Sequence, residues 1–294
     1  MRFERIDIEI LKGALVNLGV VGTGDSVFNP SFVEEAPGSI IFAVRKVSGG
    51  KPGLRSQLIL RVNVLNWPQI SVELLSEVTE LGGYRVRDLK LLKRDDDGKI
   101  FVTFNTGHER GGNAILLADL EDLDSPFKIE LGGRRRIEKN WGFFWDSGRL
   151  FALYRVSPLV LLEQDLDDSS PGRVRMKLSS GKVKRLGLHK LVSIGSQPVR
   201  YKGGLLLTCH LKPNLLWARA YIPFLIFINL ESQKVIPISI SIPWRDLSFT
   251  WSRWNRRAWA VNYASGLLVL GDKIILGIGR ADDDYEVFSG FMAQ

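Results

Sequence analysis

Apolar positions along the chain fall into short runs of β-branched, leucine and aromatic residues, punctuated by Gly, Asp and Ser. Such runs are the signature of strands rather than helices. A glycine-led turn followed by one of these runs recurs five times: GSIIFAVR at 38–45, GKIFVTFN at 98–105, GRLFALYR at 148–155, GGLLLTCH at 203–210 and GDKIILGIG at 271–279. The leading glycines lie roughly 50–70 residues apart, about the length of a four-stranded sheet with its turns. A third run and usually a fourth follow each copy, as in ILLADLEDL then PFKIELGG, or LIFINLES then KVIPISISIP.

The last unit ends after its third strand, YEVFSGFMA, whereas the first is preceded by an extra alternating segment, MRFERIDIEI, which reads as a strand. If that N-terminal strand completes the last sheet, the units close into a ring. The expectation is therefore an all-β protein: a five-bladed β-propeller formed by residues 1–294 as one domain, its ring closed by the N-terminal strand. A two-sheet sandwich is the alternative, but it does not predict five matching units.

The repeat aligns polar residues. Seven positions after each leading glycine stand Arg45, Asn105, Arg155 and His210, with Ile278 in the fifth copy. Motifs upstream of the copies add Asn29, Asp88, Lys139, Asn140, Ser196 and Gln197. In a propeller the innermost strands line a central channel, so these groups are expected to converge on one axial pocket. In the stretch EKNWGFFWDSGRLFALYR, EKNW reads as an inner strand, which would bring Lys139 and Arg155 to the same end of one hairpin.

Composition changes this picture little. The chain is 45% hydrophobic and 24% charged, which suits a large core and excludes a disordered type. A single cysteine, Cys209, permits no internal disulfide, and a reducing compartment, the cytoplasm, is the expectation. The longest apolar run, YIPFLIFINL, is half of a membrane span, so no membrane association is expected. The net charge of +8 suits an anionic partner, but no helix-turn-helix, zinc-finger or RNA-binding pattern accompanies it. No nucleic-acid partner is expected. Scattered histidines and one cysteine support no metal site, and Asp95-Asp96-Asp97-Gly98 reads as the turn before a strand.

The order NPSF, RDLK, KNW before a glycine-led strand, GSQPV before a strand ending in His, and SGL before a strand leading to GRAD resembles glycoside hydrolase family 130 and the related glycosyltransferase family 108. The resemblance spans about Asn29 to Asp282. It implies a five-bladed propeller and inverting phosphorolysis of β-mannosides, or the reverse synthesis from mannose 1-phosphate. It implies Asp88 as general acid, acting on the glycosidic oxygen through a sugar hydroxyl. Arg110, Lys139, Arg155 and His210 would hold phosphate; Asn29, Arg45, Asn105, Asn140 and Asp282 would contact sugar. Asp283 and Asp284 leave the register of Asp282 open. No cofactor is implied beyond inorganic phosphate as co-substrate, and the partner would be an oligosaccharide or sugar phosphate; a homo-oligomer is left open.

The chemistry fits those residue types. An inverting hydrolase needs an acid and a base, whereas phosphate is already a nucleophile and demands fixed cationic donors instead. One departure stands out: the family's Glu-Asp-Pro-Arg is here Arg87-Asp88-Leu89-Lys90. An arginine beside the acid would lower its pKa if the two side chains meet. Three other readings stay open: an inverting hydrolase with Glu138 or Asp282 as base, a mannosyltransferase, and a non-catalytic glycan- or anion-binding propeller. Trp141 and Trp145 flank the expected pocket. WSRWNRRAW at 251–259 reads as a lid or acceptor loop, and His108 lies in a glycine-rich loop that could reach substrate.

Overall fold

The computed structural model describes residues 1–50, 55–66, 69–107, 111–167, 170–179, 191–213, 219–254 and 258–291. It is all-β, with one α-helix, Glu9–Asn17, among the described residues. Strands Ser26–Ala36, Ser39–Val47, Arg55–Asn66 and Gln69–Val78 form a four-stranded antiparallel sheet in chain order. A second antiparallel run follows: Arg87–Lys93, Ile100–Asn105, Ile115–Asp119 and Asp122–Leu131. The third comprises Gly142–Asp146, Arg149–Val156, Leu159–Gln164 and Arg173–Leu178. These two runs merge into an eight-stranded sheet because Asp122–Leu131 lies parallel to Arg173–Leu178.

The next run starts with Val192–Ile194 and Val199–Tyr201, both paired with Gly204–Leu211, and continues through Arg219–Asn229 to Lys234–Ile238. The final run is Ala258–Leu270, Lys273–Arg280 and Asp284–Phe291. Its free edge is taken by the N-terminal strand Phe3–Ile6, antiparallel to Asp284–Phe291, with Phe3 opposite Gly290 and Ile6 opposite Val287.

The turn signal that located the strands has a direct cause. Gly38, Gly98, Gly148, Gly203 and Gly271 all adopt left-handed φ values between 61° and 80°. Only glycine takes that region without steric cost. At Ser147-Gly148 and Lys202-Gly203 both residues have positive φ, which matches the twist of the flanking strands in a two-residue hairpin.

Strands such as Ser39–Val47, Ile100–Asn105 and Gly204–Leu211 are nearly continuously apolar because both of their faces are buried. Successive side chains point to opposite faces, so Ile41 and Phe42 enter different cores, as do Phe143 and Phe144, or Leu205 and Leu206. Phe32 and Leu58 of the first run pack against Tyr285 and Val287 of the last. Ile41 and Ile59 pack against Leu91 and Val102 of the second. Phe101 and Leu117 meet Phe143 and Leu150; Phe144 and Leu153 meet Leu205 and Leu207; Leu206 and Leu225 meet Leu276 and Phe288. Each run thus shares one apolar layer with the run before it and one with the run after.

Two expectations are corrected. MRFERIDIEI is not strand throughout: only Phe3–Ile6 is, and the helix begins at Glu9. Its Leu11 and Leu15, spaced four apart, are buried against the Phe42 and Tyr285 layer. EKNW is not a strand either, because Asn140 adopts a left-handed φ of 62° and the strand starts only at Gly142.

Phe3 is fully buried beside Phe288 and Ile274. Phe3→Ala should therefore cost about 3–5 kcal/mol of unfolding free energy, measured by urea denaturation, if the N-terminal strand is integral to the last sheet.

Candidate functional site

Three of the candidate residues share an unusual backbone. Asn29, Asp88 and Asn140 have φ values of 57°, 53° and 62°, and each stands near the start of a run. The strand pairing slips at the first two, between Phe28 and Ser31 and between Arg87 and Lys90. Asn and Asp tolerate this conformation better than other non-glycine residues, and strained residues of this kind concentrate at functional sites. Gly279 leaves room for one of them, since a Cβ there would lie 2.6 Å from the Asn29 side-chain oxygen.

Asp88 is the hub. Its Oδ1 pairs with the Arg45 guanidinium; its Oδ2 accepts a hydrogen bond from Asn105 Nδ2 at 3.0 Å and lies 3.5 Å from Lys139 Nζ. Asn105 is itself oriented by the Gly107 N–H, which donates to its Oδ1 at 2.9 Å. Arg45 is buried, with its guanidinium 5.4 Å from the Phe28 ring. Burial pushes the Asp88 carboxyl up, but Arg45 and Lys139 and the hydrogen bonds from Asn105 and Arg45 outweigh it. The net effect holds the group far below the ordinary carboxylate range, so Asp88 is an anion in the ligand-free protein.

A small recess beside Asp88 is lined by Lys90, Asn105, Lys139, Asn140 and Trp141. The Lys90 side chain is buried, at 5% exposure, and its ammonium has no hydrogen-bond partner among the described residues. Burial lowers its pKa to about 8, with the Asp88 charge opposing the shift.

Lys139 and Asn140 also form part of a larger cavity of about 630 Å³, together with Arg135, Glu138, Tyr154 and Arg155. Lys139 and Arg155, sixteen positions apart, therefore line one space, although Lys139 lies in the loop before the hairpin rather than on its first strand. The Arg155 guanidinium sits 5.3 Å from the Tyr154 ring centre. The Tyr154 hydroxyl and the Arg135 N–H donate to Glu138 Oε1, while Glu138 Oε2 is buried with no partner among the described residues. Asn113 pins the Glu138 backbone from both sides.

His210 lines neither space. Its ring is wholly buried, 4.6 Å from the Tyr263 ring and 5.4 Å from that of Tyr221, and neither nitrogen has a partner among the described residues. Burial, then the Lys212 and Lys90 charges, push its pKa well down, so the imidazole is neutral. It is linked to the site indirectly: the Tyr263 hydroxyl donates to Asn140 Oδ1 at 3.1 Å, and Asn140 donates to Ser193 Oγ at 3.2 Å. Asp282, with φ of 57°, accepts from the Ser252 hydroxyl, and Arg253 pairs with the adjacent Asp283. The start of the WSRWNRRAW segment is thus bonded to the turn that carries Asp282, while residues 255–257 lie outside the described residues. So do His108 and Arg110.

Trp141 packs in the core against Phe143 and Tyr154, and Trp145 packs against Phe101. Gln197 accepts from the Phe143 N–H and donates to Thr103, so it ties neighbouring runs together. Asp97 accepts from Arg94 and the Lys99 N–H within its turn. Sequence reasoning did not single out Lys90 as a site residue, or Arg135, Tyr154 and Tyr263. Lys90 alone had a signal, two positions after Asp88 in the same motif.

No protein-family model and no curated protein matches the sequence. Solved structures do share the fold. The β-1,2-mannobiose phosphorylase of Listeria innocua, in complex with β-1,2-mannobiose, aligns over 99% of this chain and 97% of its own, with a TM-score of 0.61 at 14% identity. A member of the GH130 family of mannoside phosphorylases, from a study of hydrolases that target β-1,2-mannosidic linkages in Candida mannan, aligns over 90% and 84%, with a TM-score of 0.60 at 13% identity. MPT-4 of Leishmania mexicana, a mannose phosphorylase in complex with a phosphate ion, aligns over 96% and 92%, with a TM-score of 0.52 at 10% identity.

Because the folded-state pKa of Lys90, about 8, lies below its ordinary value of 10.5, the unfolded chain binds more protons between those two values. Stability should then rise with pH across that window by up to about 3 kcal/mol. The rise should be absent in Lys90→Met when the two proteins are compared by denaturant titration from pH 7.5 to 10.

Proposed function

We propose that this protein is a carbohydrate-active enzyme on a five-bladed β-propeller, exchanging a mannosyl group between a β-mannoside and inorganic phosphate. The blade count is supported by the five apolar layers, each shared by successive runs and the last leading back to the first. The observation that carries the chemistry is one ionised carboxylate, Asp88, clamped by Arg45, Asn105 and Lys139, with Lys139 also opening on the cavity that holds Arg155 and Arg135. A site with one central carboxylate and many cations suits an anionic nucleophile better than a water that needs its own base. The named mannoside phosphorylases of the same fold point the same way.

In this reading phosphate occupies the 630 Å³ cavity against Lys139 and Arg155, while Asn29, Arg45, Asn105, Asn140 and Asp282 face the sugar. A phosphate oxygen forms the new bond to the anomeric carbon as the glycosidic C–O bond breaks, and the leaving oxygen takes a proton. Asp88, having taken up a proton from the medium once phosphate is bound, supplies it directly or through a sugar hydroxyl. Its low resting pKa is compatible with that role because phosphate engages Lys139. Neutralising that cation raises the carboxyl's pKa toward the range a proton donor requires. Binding of the nucleophile thereby arms the acid.

Glu138 favours a second reading. Its unpartnered Oε2 belongs to a residue that lines the same cavity, and a carboxylate there could activate water for inverting hydrolysis. Incubation with β-1,2-mannobiose should release mannose 1-phosphate only when inorganic phosphate is present. Release of free mannose without phosphate would replace phosphorolysis with hydrolysis, and no turnover under either condition would leave a binding protein. Asp88→Asn should lower kcat about 10²- to 10⁴-fold; because it also leaves buried Arg45 without its counter-ion and lowers the melting temperature, turnover is compared at a temperature where circular dichroism shows the variant folded.

A further inference from the structure

A second cationic cavity lies beside the Asp88 cluster and has no part in the mechanism above. It has a volume of about 580 Å³ and is lined by Arg55, Arg85 and Arg87 with Ser56, Glu77 and Glu80. That volume is in the range of about 300–1,000 Å³ typical of small-molecule sites. The three arginines reach it from different strands, Arg55–Asn66, Tyr84–Arg85 and Arg87–Lys93. None of the three forms an ion pair with a carboxylate among the described residues, and Arg55 Nε is buried without a hydrogen-bond partner.

The charges are unbalanced. Glu77 is already engaged, by Lys46 Nζ at 2.9 Å and by the Ser56 hydroxyl at 2.6 Å. Glu80 is then the one carboxylate left in the lining to oppose three guanidinium groups. The surplus is two positive charges. Burial and mutual repulsion act on the same groups: Arg87 is disfavoured as a cation by burial and by Arg45, Arg55 and Arg85, and Arg55 by burial and by Arg45. Holding like charges together without a counter-ion costs free energy that a dianion would recover. Planar guanidinium groups bind phosphate through paired hydrogen bonds.

The cavity also communicates with the Asp88 centre. Arg55 feels both Asp88 and Asp282, and Arg87, which directly precedes Asp88, feels its charge as well. The Arg87 side chain covers Gly107, whose N–H orients Asn105 on Asp88. Arg87 is moreover the residue that stands where the resembled motif has a glutamate, so this chain carries a positive charge there, in the lining of the second cavity, where that motif carries a negative one.

We propose that the Arg55–Arg85–Arg87 cavity binds the phosphomonoester of a phosphorylated sugar whose other end reaches Asp88. The substrate class is then an anionic, phosphate-bearing saccharide rather than a neutral manno-oligosaccharide. This substrate assignment rests on the reading of Asp88 as the glycosyl-transfer centre; the anion site itself does not.

Calorimetric titration of the full chain with mannose 6-phosphate, mannose and inorganic phosphate tests it. Mannose 6-phosphate should bind at least about tenfold more tightly than mannose, and Arg85→Gln/Arg87→Gln should weaken it about 10- to 100-fold, as expected for lost charge-assisted hydrogen bonds. The same double variant should leave one inorganic phosphate bound, and Lys139→Gln/Arg155→Gln should remove that phosphate while sparing mannose 6-phosphate. If the arginine pair cannot be replaced together without unfolding, the exposed Arg85→Gln alone is compared with the parent. Equal affinity for mannose and its phosphate, or unchanged mannose 6-phosphate binding in a folded arginine variant, overturns the proposal. Phosphate binding insensitive to Lys139→Gln/Arg155→Gln would instead count against the phosphorolytic reading, with the arginine site standing.

Discussion

One negative charge organises the centre of this molecule. Asp88 is the carboxylate to which Arg45 is paired, toward which Lys139 leans and whose field reaches Lys90, Arg55 and Arg87. Five cations around a single anion would repel one another strongly in a low-dielectric setting. The fold tolerates them because four of the five, all but Lys139, arrive on strands whose opposite faces are locked into separate apolar layers. Packing supplies the stability, and the site spends some of it on an electrostatic imbalance that an anionic ligand would relieve.

In the proposed mechanism the imbalance also sets the order of events at the site. A carboxylate held this far below its ordinary pKa is an anchor before it is an acid. Only a change in its surroundings can turn it into a proton donor, and the cation best placed to change is Lys139, which is shared between the recess at Asp88 and the larger cavity. Arg45 differs: it is buried, stacked on Phe28 and committed to Asp88. The two contacts divide the work between a fixed partner and an exchangeable one.

What the sequence revealed and what it hid follow from the range of the forces involved. The turns were legible because left-handed φ at Gly38, Gly98, Gly148, Gly203 and Gly271 is a local requirement that few residues meet. The pairing of the N-terminal strand was legible from a missing fourth strand at the other end. The helix Glu9–Asn17 was missed because the alternation of MRFERIDIEI continues into it, and the Leu11–Leu15 spacing competes with that pattern over only one turn. EKNW looked extended until Asn140 turned the chain. Residues seven after each glycine did gather near Asp88 in the cases of Arg45 and Asn105, whereas His210 sank behind Tyr263. The arginine cavity could not be read at all: residues 55, 85 and 87 meet only because three separate strands end at one place.

The antiparallel contact between Phe3–Ile6 and Asp284–Phe291 has a kinetic side as well. Most of the hydrogen-bond ladders join neighbours in the chain and can zip locally as soon as their strands are made. This one joins Phe3 to Gly290, the widest separation among the described pairings, so its loop-closure entropy is the largest of them and its formation comes late. During synthesis Phe3 leaves the ribosome long before its partners in Asp284–Phe291 are made. Until the two strands pair, the last sheet exposes an unpaired edge that invites pairing with another chain. The strand that finishes the fold is thus also the one that protects it from its own copies.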